Sequence, residues 1–254
     1  MLDIITVQVG LIEENCYIIY ERKVPSADAA SARGWVNRPA NGADRETQGQ
    51  EETGGTAEEA TRQEGTPSPC VVIDPGDQAT KIKYELDATG LRPEAILLTH
   101  AHFDHIGAVQ GLRSYFPDIP IYAHKDERII IDNPKYNGGS WSHKPNKWAE
   151  SVVYLDDRAE LRLLGEKWVL LHTPGHTTGS CCYYIDSMHY LFAGDTLFAG
   201  SCGRTDLPTG SMRALVNSIQ QVLMALPDKT IVFPGHMECT SIGAEKRYNF
   251  IMRM

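Results

Sequence analysis

The stretch ILLTHAHFDHIG, residues 96–107, holds four metal-binding side chain types, His100, His102, Asp104 and His105. They follow an apolar run of strand length and precede a helix-like pattern, so they are expected where a buried strand ends. His100 and His102, two residues apart, can aim at one point. Asp104 and His105, beyond the turn, can aim at a second. Imidazole nitrogens and carboxylate oxygens suit zinc, iron or manganese.

Three further strand ends supply residues of the same types. His176 lies in LLHTPGHTTGS, Asp195 in LFAGDTLF and His236 in IVFPGHME, and each stands near glycine, which lets the backbone turn closely about a site. Seven such residues at the ends of apolar strands predict a metal centre. The remaining histidines are interpreted as ordinary core or surface residues: His124, His143, His172 and His189. Of these, His172 is the best placed to support the ligand His176 from outside.

The segments around these motifs alternate between strand-like and helix-like patterns. The predicted strands and strand pairs are DIITVQV, NCYIIYE, CVVIDPG, EAILLT, IPIYAH, VVYL, LRLLG with KWVLLHTPG, CCYYIDSMHYLFAGDTLF, and KTIVFPGH. One long helix is predicted over 210–227, and an exposed loop over 133–150. Two series of strands, each with its own helices, predict two sheets packed face to face and covered by helices outside.

One segment departs from this pattern. Residues 23–69 contain no Ile, Leu, Met, Phe or Tyr, so they cannot bury enough apolar surface to offset their chain entropy. We interpret 23–69 as a disordered insertion in the turn of a β-hairpin, because both flanks are strand-like. The chain is therefore predicted to form a single domain over 1–254.

Composition excludes several classes of function. The chain has 254 residues, 42% of them hydrophobic, and a net charge of −9, so it offers no basic field to hold nucleic acid or an anionic membrane surface. No apolar run approaches the length of a membrane span, and the amino end does not resemble a signal peptide; a cytoplasmic location is expected. The six cysteines form no CxxC pair and are expected to be reduced, with Cys181 and Cys182 on opposite faces of one strand.

The motif THAHFDH resembles the HxHxDH signature of the metallo-β-lactamase-fold hydrolases, and the three later ligand motifs follow in the family's order. The segments GDTLFAGSCGRTDLPTG (194–210) and IGAEKRYNF (242–250) resemble most closely the single-domain bacterial glyoxalase II group, the hydroxyacylglutathione hydrolases. The resemblance covers nearly all of the chain outside the insertion. It implies an α/β fold of the αββα four-layer sandwich type, with a two-metal site along one edge.

Carried over residue by residue, the resemblance implies two divalent cations, and zinc is preferred over iron or manganese. The first is held by His100, His102 and His176, the second by Asp104, His105 and His236, and Asp195 bridges both. Asp104 and Asp195 are then the carboxylates at the catalytic centre. The implied reaction is hydrolysis of a thioester such as S-lactoylglutathione, with a metal-bridging hydroxide as the nucleophile.

Substrate recognition has the weakest sequence signal. Two-domain glyoxalase II enzymes carry a further helical domain that supplies much of the glutathione site, and this sequence ends at Met254 without one. An anionic substrate is therefore expected to find its cations within this domain. The ending YNFIMRM resembles a family segment that offers an arginine to glutathione, so Arg253 is the main candidate. Lys144 and Lys147, in the predicted loop, are weaker ones.

Other functions remain open from the sequence, and a β-lactamase or lactonase activity is among them because a fold does not fix the substrate. Persulfide dioxygenases of the same fold share a GCGRTD-like segment, and they hold a single ferrous ion through residues that correspond to His100, His176 and Asp195. The third hypothesis is a scaffold without catalytic activity that binds a partner through the acidic insertion. The complete set of seven ligand-type residues argues against this third hypothesis.

Overall fold

The structure is a computed structural model that describes residues 1–22, 66–131, 133–138 and 148–254. Residues Met1–Glu21 and Pro67–Met254 form one compact unit. Within the described ranges, no helix is both long and apolar enough to cross a lipid bilayer.

The first sheet has six strands in sequential order, antiparallel from β1 to β3 and parallel from β3 to β6. Its strands are β1 (Leu2–Val9), β2 (Glu14–Glu21), β3 (Ser68–Ile73), β4 (Leu91–Leu97), β5 (Ile121–His124) and β6 (Val152–Leu155). The helices that accompany this sheet are α1 (Ala79–Thr89), α2 (Phe103–Ile106), α3 (Val109–Tyr115) and α4 (Arg128–Ile131).

The second sheet has the order β14-β13-β10-β9-β8-β7, and only its β10–β13 pair is parallel. Its strands are β7 (Glu160–Leu163), β8 (Glu166–His172), β9 (Cys181–Ile185), β10 (Tyr190–Gly194), β13 (Ile231–Pro234) and β14 (Thr240–Ser241). A small separate pair consists of β11 (Leu197–Phe198) and β12 (Ser201–Cys202). Helices α5 (Met212–Asn217) and α6 (Ile242–Tyr248) follow.

Alternating side chains along the strands build three hydrophobic clusters. On β2, Ile19 belongs to the cluster between the sheets, whereas Ile18 packs on the opposite face with residues of α1 and α3. On β9, Cys181 joins the same central cluster and Cys182 joins the cluster beneath α5 and α6. The order of layers is therefore helix, sheet, sheet, helix, which confirms the predicted four-layer sandwich. The predicted placement of the two cysteines on opposite faces is also confirmed.

Two predicted elements differ from the structure. The helix predicted over 210–227 is α-helical only in α5, and it continues as a π-helical turn (Ser218–Val222) and a 3-10 turn (Leu223–Ala225). The Ser218 hydroxyl donates to the carbonyl of Pro174, which ties this irregular turn to the loop before His176. Of the exposed loop predicted over 133–150, residues 139–147 lie outside the described residues, and Trp148 near its end is buried in the cluster beneath α1 and α3.

Of the insertion predicted over 23–69, residues 23–65 lie outside the described residues. Its predicted carboxyl boundary is two residues late, because Ser68 and Pro69 already belong to β3. The strands on either side, β2 and β3, pair antiparallel with Tyr17 opposite Ile73. The segment thus connects two neighbouring strands, the position that the flanks predict.

Candidate metal centre

The seven ligand-type residues meet at one edge of the sandwich because each follows a strand. His100 and His102 lie just beyond β4, and Asp104 and His105 lie in the short helix α2. The remaining three come from the second sheet: His176 from the loop after β8, Asp195 immediately after β10, and His236 shortly after β13. Because β10 and β13 are parallel neighbours, their carboxyl ends lie side by side at this edge.

His100, His102 and His176 form a first cluster of imidazoles. His102 Nδ1 lies 2.8 Å from His176 Nε2, and His176 Nε2 lies 3.2 Å from His100 Nε2. All three side chains are buried. Three ring nitrogens that point toward one another at these distances are arranged like ligands around a common cation.

Asp104, His105 and His236 form a second cluster beside the first. The Oδ2 atom of Asp104 lies 3.3 Å from His236 Nε2 and 3.6 Å from His105 Nε2. Whereas His105 is fully buried, His236 and Asp104 are partly exposed. Solvent and small molecules therefore reach the centre from the side of the second cluster.

Asp195 lies between the two clusters. Its Oδ2 atom is 3.5 Å from His176 Nε2 in the first cluster, and its Oδ1 atom is 3.4 Å from His105 Nε2 in the second. Glycine keeps the space beside it open, since a Cβ atom on Gly235 would lie 2.4 Å from Asp195 Oδ1. Oδ2 also lies 3.8 Å from His236 Nε2, so the carboxylate as a whole faces imidazoles of both clusters.

Backbone carbonyls fix which ring nitrogen of two histidines faces the centre. The Nδ1 atom of His176 lies 2.7 Å from the carbonyl oxygen of Arg204, and that of His236 lies 3.2 Å from the carbonyl oxygen of Ile12. Because a carbonyl only accepts, Nδ1 carries the proton in both rings. The Nε2 atoms are then the ones turned toward the clusters and available as metal ligands.

Asp74, at the end of β3, orients both clusters. Its Oδ2 atom accepts from His105 Nδ1 at 3.0 Å and from the Thr99 hydroxyl at 2.6 Å. The Thr99 oxygen in turn lies 3.2 Å from His100 Nδ1. Since the Thr99 proton is used on Asp74, His100 donates to that oxygen and turns its Nε2 atom toward the first cluster.

The pKa shifts of the buried histidines differ between the two clusters. Burial and the neighbouring imidazole of His105 hold the pKa of His100 well below its ordinary value. Burial and His176 lower the pKa of His102 to about 3. Burial also disfavours the charged form of His105, but the carboxylates of Asp195 and Asp104 outweigh it and raise the pKa of His105. Only unprotonated imidazole nitrogens bind metal, so a cation at the second cluster competes with this proton.

Two buried polar atoms show that the centre fits a cation. His105 Nε2 and Asp195 Oδ1 are fully buried, and neither has a hydrogen-bond partner among the described residues. Polar atoms buried without a partner are costly. They face each other across 3.4 Å at the edge of the second cluster. A divalent cation held by nitrogen and carboxylate oxygen would satisfy both.

Three residues at the centre were missed from sequence: Asp74, Glu14 and Glu127. Asp74 had a usable signal, because it directly follows an apolar strand, as the predicted ligands follow theirs, and stands beside Pro and Gly. Glu14 is fully buried with Oε1 3.7 Å from His105 Nδ1, and burial raises its pKa well above the ordinary value. Burial also raises the pKa of Glu127 to about 7, against hydrogen bonds from Thr177, Ala101 and Gly179 that favour the carboxylate.

The remaining candidates from the sequence are Arg253, Lys144 and Lys147 for the substrate and His172 as a supporting residue. Arg253 is exposed in the carboxyl-terminal helical turn Phe250–Arg253. Lys144 and Lys147 fall outside the described residues. The side chain of His172 bonds to the carbonyl of Thr178 at 2.9 Å and stacks on His124 at 3.8 Å, so these contacts do not join it to His176 itself.

Comparison with known proteins agrees with this geometry. The sequence profile described as "Metallo-beta-lactamase superfamily" matches residues 63–236. The "Probable metallo-hydrolase YqgX" of Bacillus subtilis is 38% identical over 181 residues, which cover 71% of this chain and 85% of that protein. A "Hydroxyacylglutathione hydrolase" of Hamiltonella defensa is also 38% identical, over 167 residues, but the match covers 66% of this chain and only 57% of the longer enzyme.

Two solved structures resemble the whole chain. The "BLEG-1 B3 metallo-beta-lactamase" superposes with a TM-score of 0.74 at 32% identity and covers 100% of both chains. "TTHA1623 in a di-iron-bound form" superposes with a TM-score of 0.69 at 32% identity and covers 97% of this chain and 98% of the other. The profile matches most of the chain, the Bacillus relative is 38% identical to it, and its histidines and aspartates form a centre at the sheet edge. The chain therefore belongs to the metallo-beta-lactamase superfamily.

Proposed function

We propose that the protein is a dinuclear metal-dependent hydrolase that cleaves thioesters of the S-lactoylglutathione type, with zinc as its metal. The observation that carries the proposal is the placement of Asp195 between two groups of ligands. One cation would be held by His100, His102 and His176, and the other by Asp104, His105 and His236. Asp195 would bind both cations. A bound pair of divalent cations supplies an activated water near neutral pH and Lewis-acid stabilisation of a developing oxyanion.

The residues of the chain supply the orientation and the charge. Asp74 and the carbonyls of Arg204 and Ile12 hold the imidazoles in the ligating tautomer. Asp104 and Asp195 bring two carboxylates to the five imidazoles of the centre, a donor set that suits divalent cations. A thioester needs no proton donor for its leaving group, because a thiol with a pKa of about 8.5 departs readily as thiolate.

The thioester is favoured by the relatives and by the rim of the centre. The Hamiltonella relative is a hydroxyacylglutathione hydrolase by name, and its match spans 66% of this chain. Three exposed apolar residues adjoin the ligands. The carbonyl oxygen of Ile12 lies 3.2 Å from His236 Nδ1, Phe103 follows His102 in sequence, and Met237 follows His236. Such side chains offer contact to the carbon skeleton of an acyl or thiol group.

Metal analysis combined with three substrates tests the proposal. We expect the purified protein to hold two equivalents of zinc per chain and to hydrolyse S-lactoylglutathione with a higher kcat/KM than a chromogenic cephalosporin. We also expect no oxygen uptake with glutathione persulfide. One iron per chain with oxygen uptake would identify a dioxygenase instead. Preferred cleavage of the cephalosporin would identify a β-lactamase.

Arg253→Ala tests the predicted contact to the thiol carrier. A charge-assisted contact between arginine and a substrate carboxylate contributes about 1.5 to 3 kcal/mol. We therefore expect the KM for a glutathione thioester to rise about tenfold or more at low salt, with little change for a small uncharged thioester. Arg247→Ala, an exposed arginine on the preceding helix α6, is the matched control. Equal effects on both substrates, or none, would show that Arg253 is not the anchor.

A further inference from the structure

Glu127 is a fully buried carboxylate that touches both loops carrying the first cluster. It lies in the helical turn Lys125–Glu127 that follows β5. Its Oε2 atom accepts from the backbone N–H of Ala101 at 2.9 Å, and Ala101 stands between His100 and His102. One oxygen thus fixes the backbone from which two ligands of the first cluster project.

The other oxygen of Glu127 holds the loop of the third ligand. Oε1 accepts from the hydroxyl of Thr177 and from the backbone N–H of Gly179, the latter at 3.1 Å. Thr177 directly follows His176. The loop packs tightly here, since a Cβ atom on Gly179 would lie 2.4 Å from the backbone nitrogen of Glu127. A loop of the second sheet is thereby joined to a turn of the first sheet.

The arrangement requires a carboxylate rather than any polar side chain. Three donors meet two oxygens, and each of the three is presented by an element that holds or flanks a ligand. An amide offers only one accepting oxygen and would turn its N–H₂ group toward another donor. Because the side chain is excluded from water, no water molecule can accept a hydrogen bond from the donor that would lose its partner.

We propose that Glu127 is a positioning residue that sets the spacing of His100, His102 and His176 and thereby the affinity of the first metal site. The inference rests on the metal assignment made under Proposed function, though not on the thioester as substrate. Glu127 is fully buried behind the two loops and acts through them, whereas Asp74 contacts a ligand directly.

Zinc titration of Glu127→Gln, in competition with a chromophoric chelator, tests the proposal on the full chain. Loss of an outer hydrogen bond to a metal centre typically weakens metal binding 10- to 100-fold. We expect one of the two zinc dissociation constants to rise by about tenfold or more, while the other stays within about threefold.

Glu245→Gln is the matched control, because Glu245 is also a buried carboxylate with three donors. It accepts from Gly200 N, Thr240 Oγ1 and Asn249 Nδ2, at 2.9, 2.6 and 2.7 Å. A general loss of stability should appear in both variants as a lower melting temperature of the metal-free protein. Selective weakening of one zinc site should appear only in Glu127→Gln.

Unchanged zinc affinities in Glu127→Gln, or equal weakening of both sites in both variants, would overturn the proposal. If Glu127→Gln does not fold, Thr177→Val removes one of the three hydrogen bonds and keeps the carboxylate. That variant should then weaken the same site by at least about threefold, and an unchanged affinity would equally overturn the proposal. A wild-type protein that binds two zinc ions without cleaving thioesters would contradict the proposed substrate and leave this test valid.

Discussion

Asp195→Ala is expected to abolish dinuclear metal binding and to lower the hydrolytic rate by about a hundredfold or more. Asp195 faces both clusters, with Oδ2 3.5 Å from His176 Nε2 and Oδ1 3.4 Å from His105 Nε2. Loss of a direct ligand should exceed the 10- to 100-fold that loss of an outer partner costs. Elemental analysis after dialysis should then find fewer than two equivalents of metal per chain.

The control for this prediction is Asp228→Ala. Asp228 is an exposed carboxylate that pairs with Lys246 at 2.6 Å on the surface, so its removal should leave metal content and rate unchanged. Retention of two tightly held metal ions by Asp195→Ala, with an unaltered rate, would show that Asp195 does not bridge. If one site kept its wild-type metal affinity and only the other site lost its metal, Asp195 would be a ligand of a single cluster.

Asp74→Asn is expected to weaken metal binding at both clusters by about 10- to 100-fold each. In the wild-type protein, three donors converge on the carboxylate: Thr99 N at 2.7 Å, the Thr99 hydroxyl at 2.6 Å and His105 Nδ1 at 3.0 Å. An asparagine keeps the size of the side chain but presents a donor to one of them. The free energy of unfolding should also fall by about 1–3 kcal/mol, because one buried donor loses its partner.

Zinc competition titrations and urea unfolding of the metal-free protein separate the two effects of Asp74→Asn. Asp156→Asn changes an exposed aspartate that pairs with Lys125, and it should alter neither measurement. The structure links Asp74 to His105 directly and to His100 through Thr99. Weakening at the second cluster alone would mean that the Thr99 hydroxyl does not transmit the orientation of Asp74 to His100.

The strands and the potential ligands were predictable because both leave local signals. Alternation along β2 sends Ile18 and Ile19 to opposite faces, and the adjacent cysteines of β9 divide between two clusters in the same way. The seven histidines and aspartates each follow an apolar run. A strand end is readable in sequence, and strands of one sheet place their ends at common edges.

Other features had no local signal. The break of the helix after α5 into a π-helical turn depends on a contact between Ser218 and the distant carbonyl of Pro174. Trp148 lies in a segment rich in turn-forming residues, yet it is buried against the first sheet. In both cases a tertiary contact decides the outcome, because packing contributes more free energy than the intrinsic preference of the segment.

By itself, the sequence determined the two-sheet architecture and the identity of the ligand-type residues, because both depend on the period and ends of single strands. The resemblance to a known family implied how those residues divide into two clusters, with Asp195 between them, and the tertiary structure supplied the distances. Only the tertiary structure revealed Asp74 and Glu127 as the groups that hold the clusters in place. The physical reason is that a hydrogen bond between Glu127 and Thr177 joins residues 50 positions apart. Such a contact exists only after the two sheets have packed together.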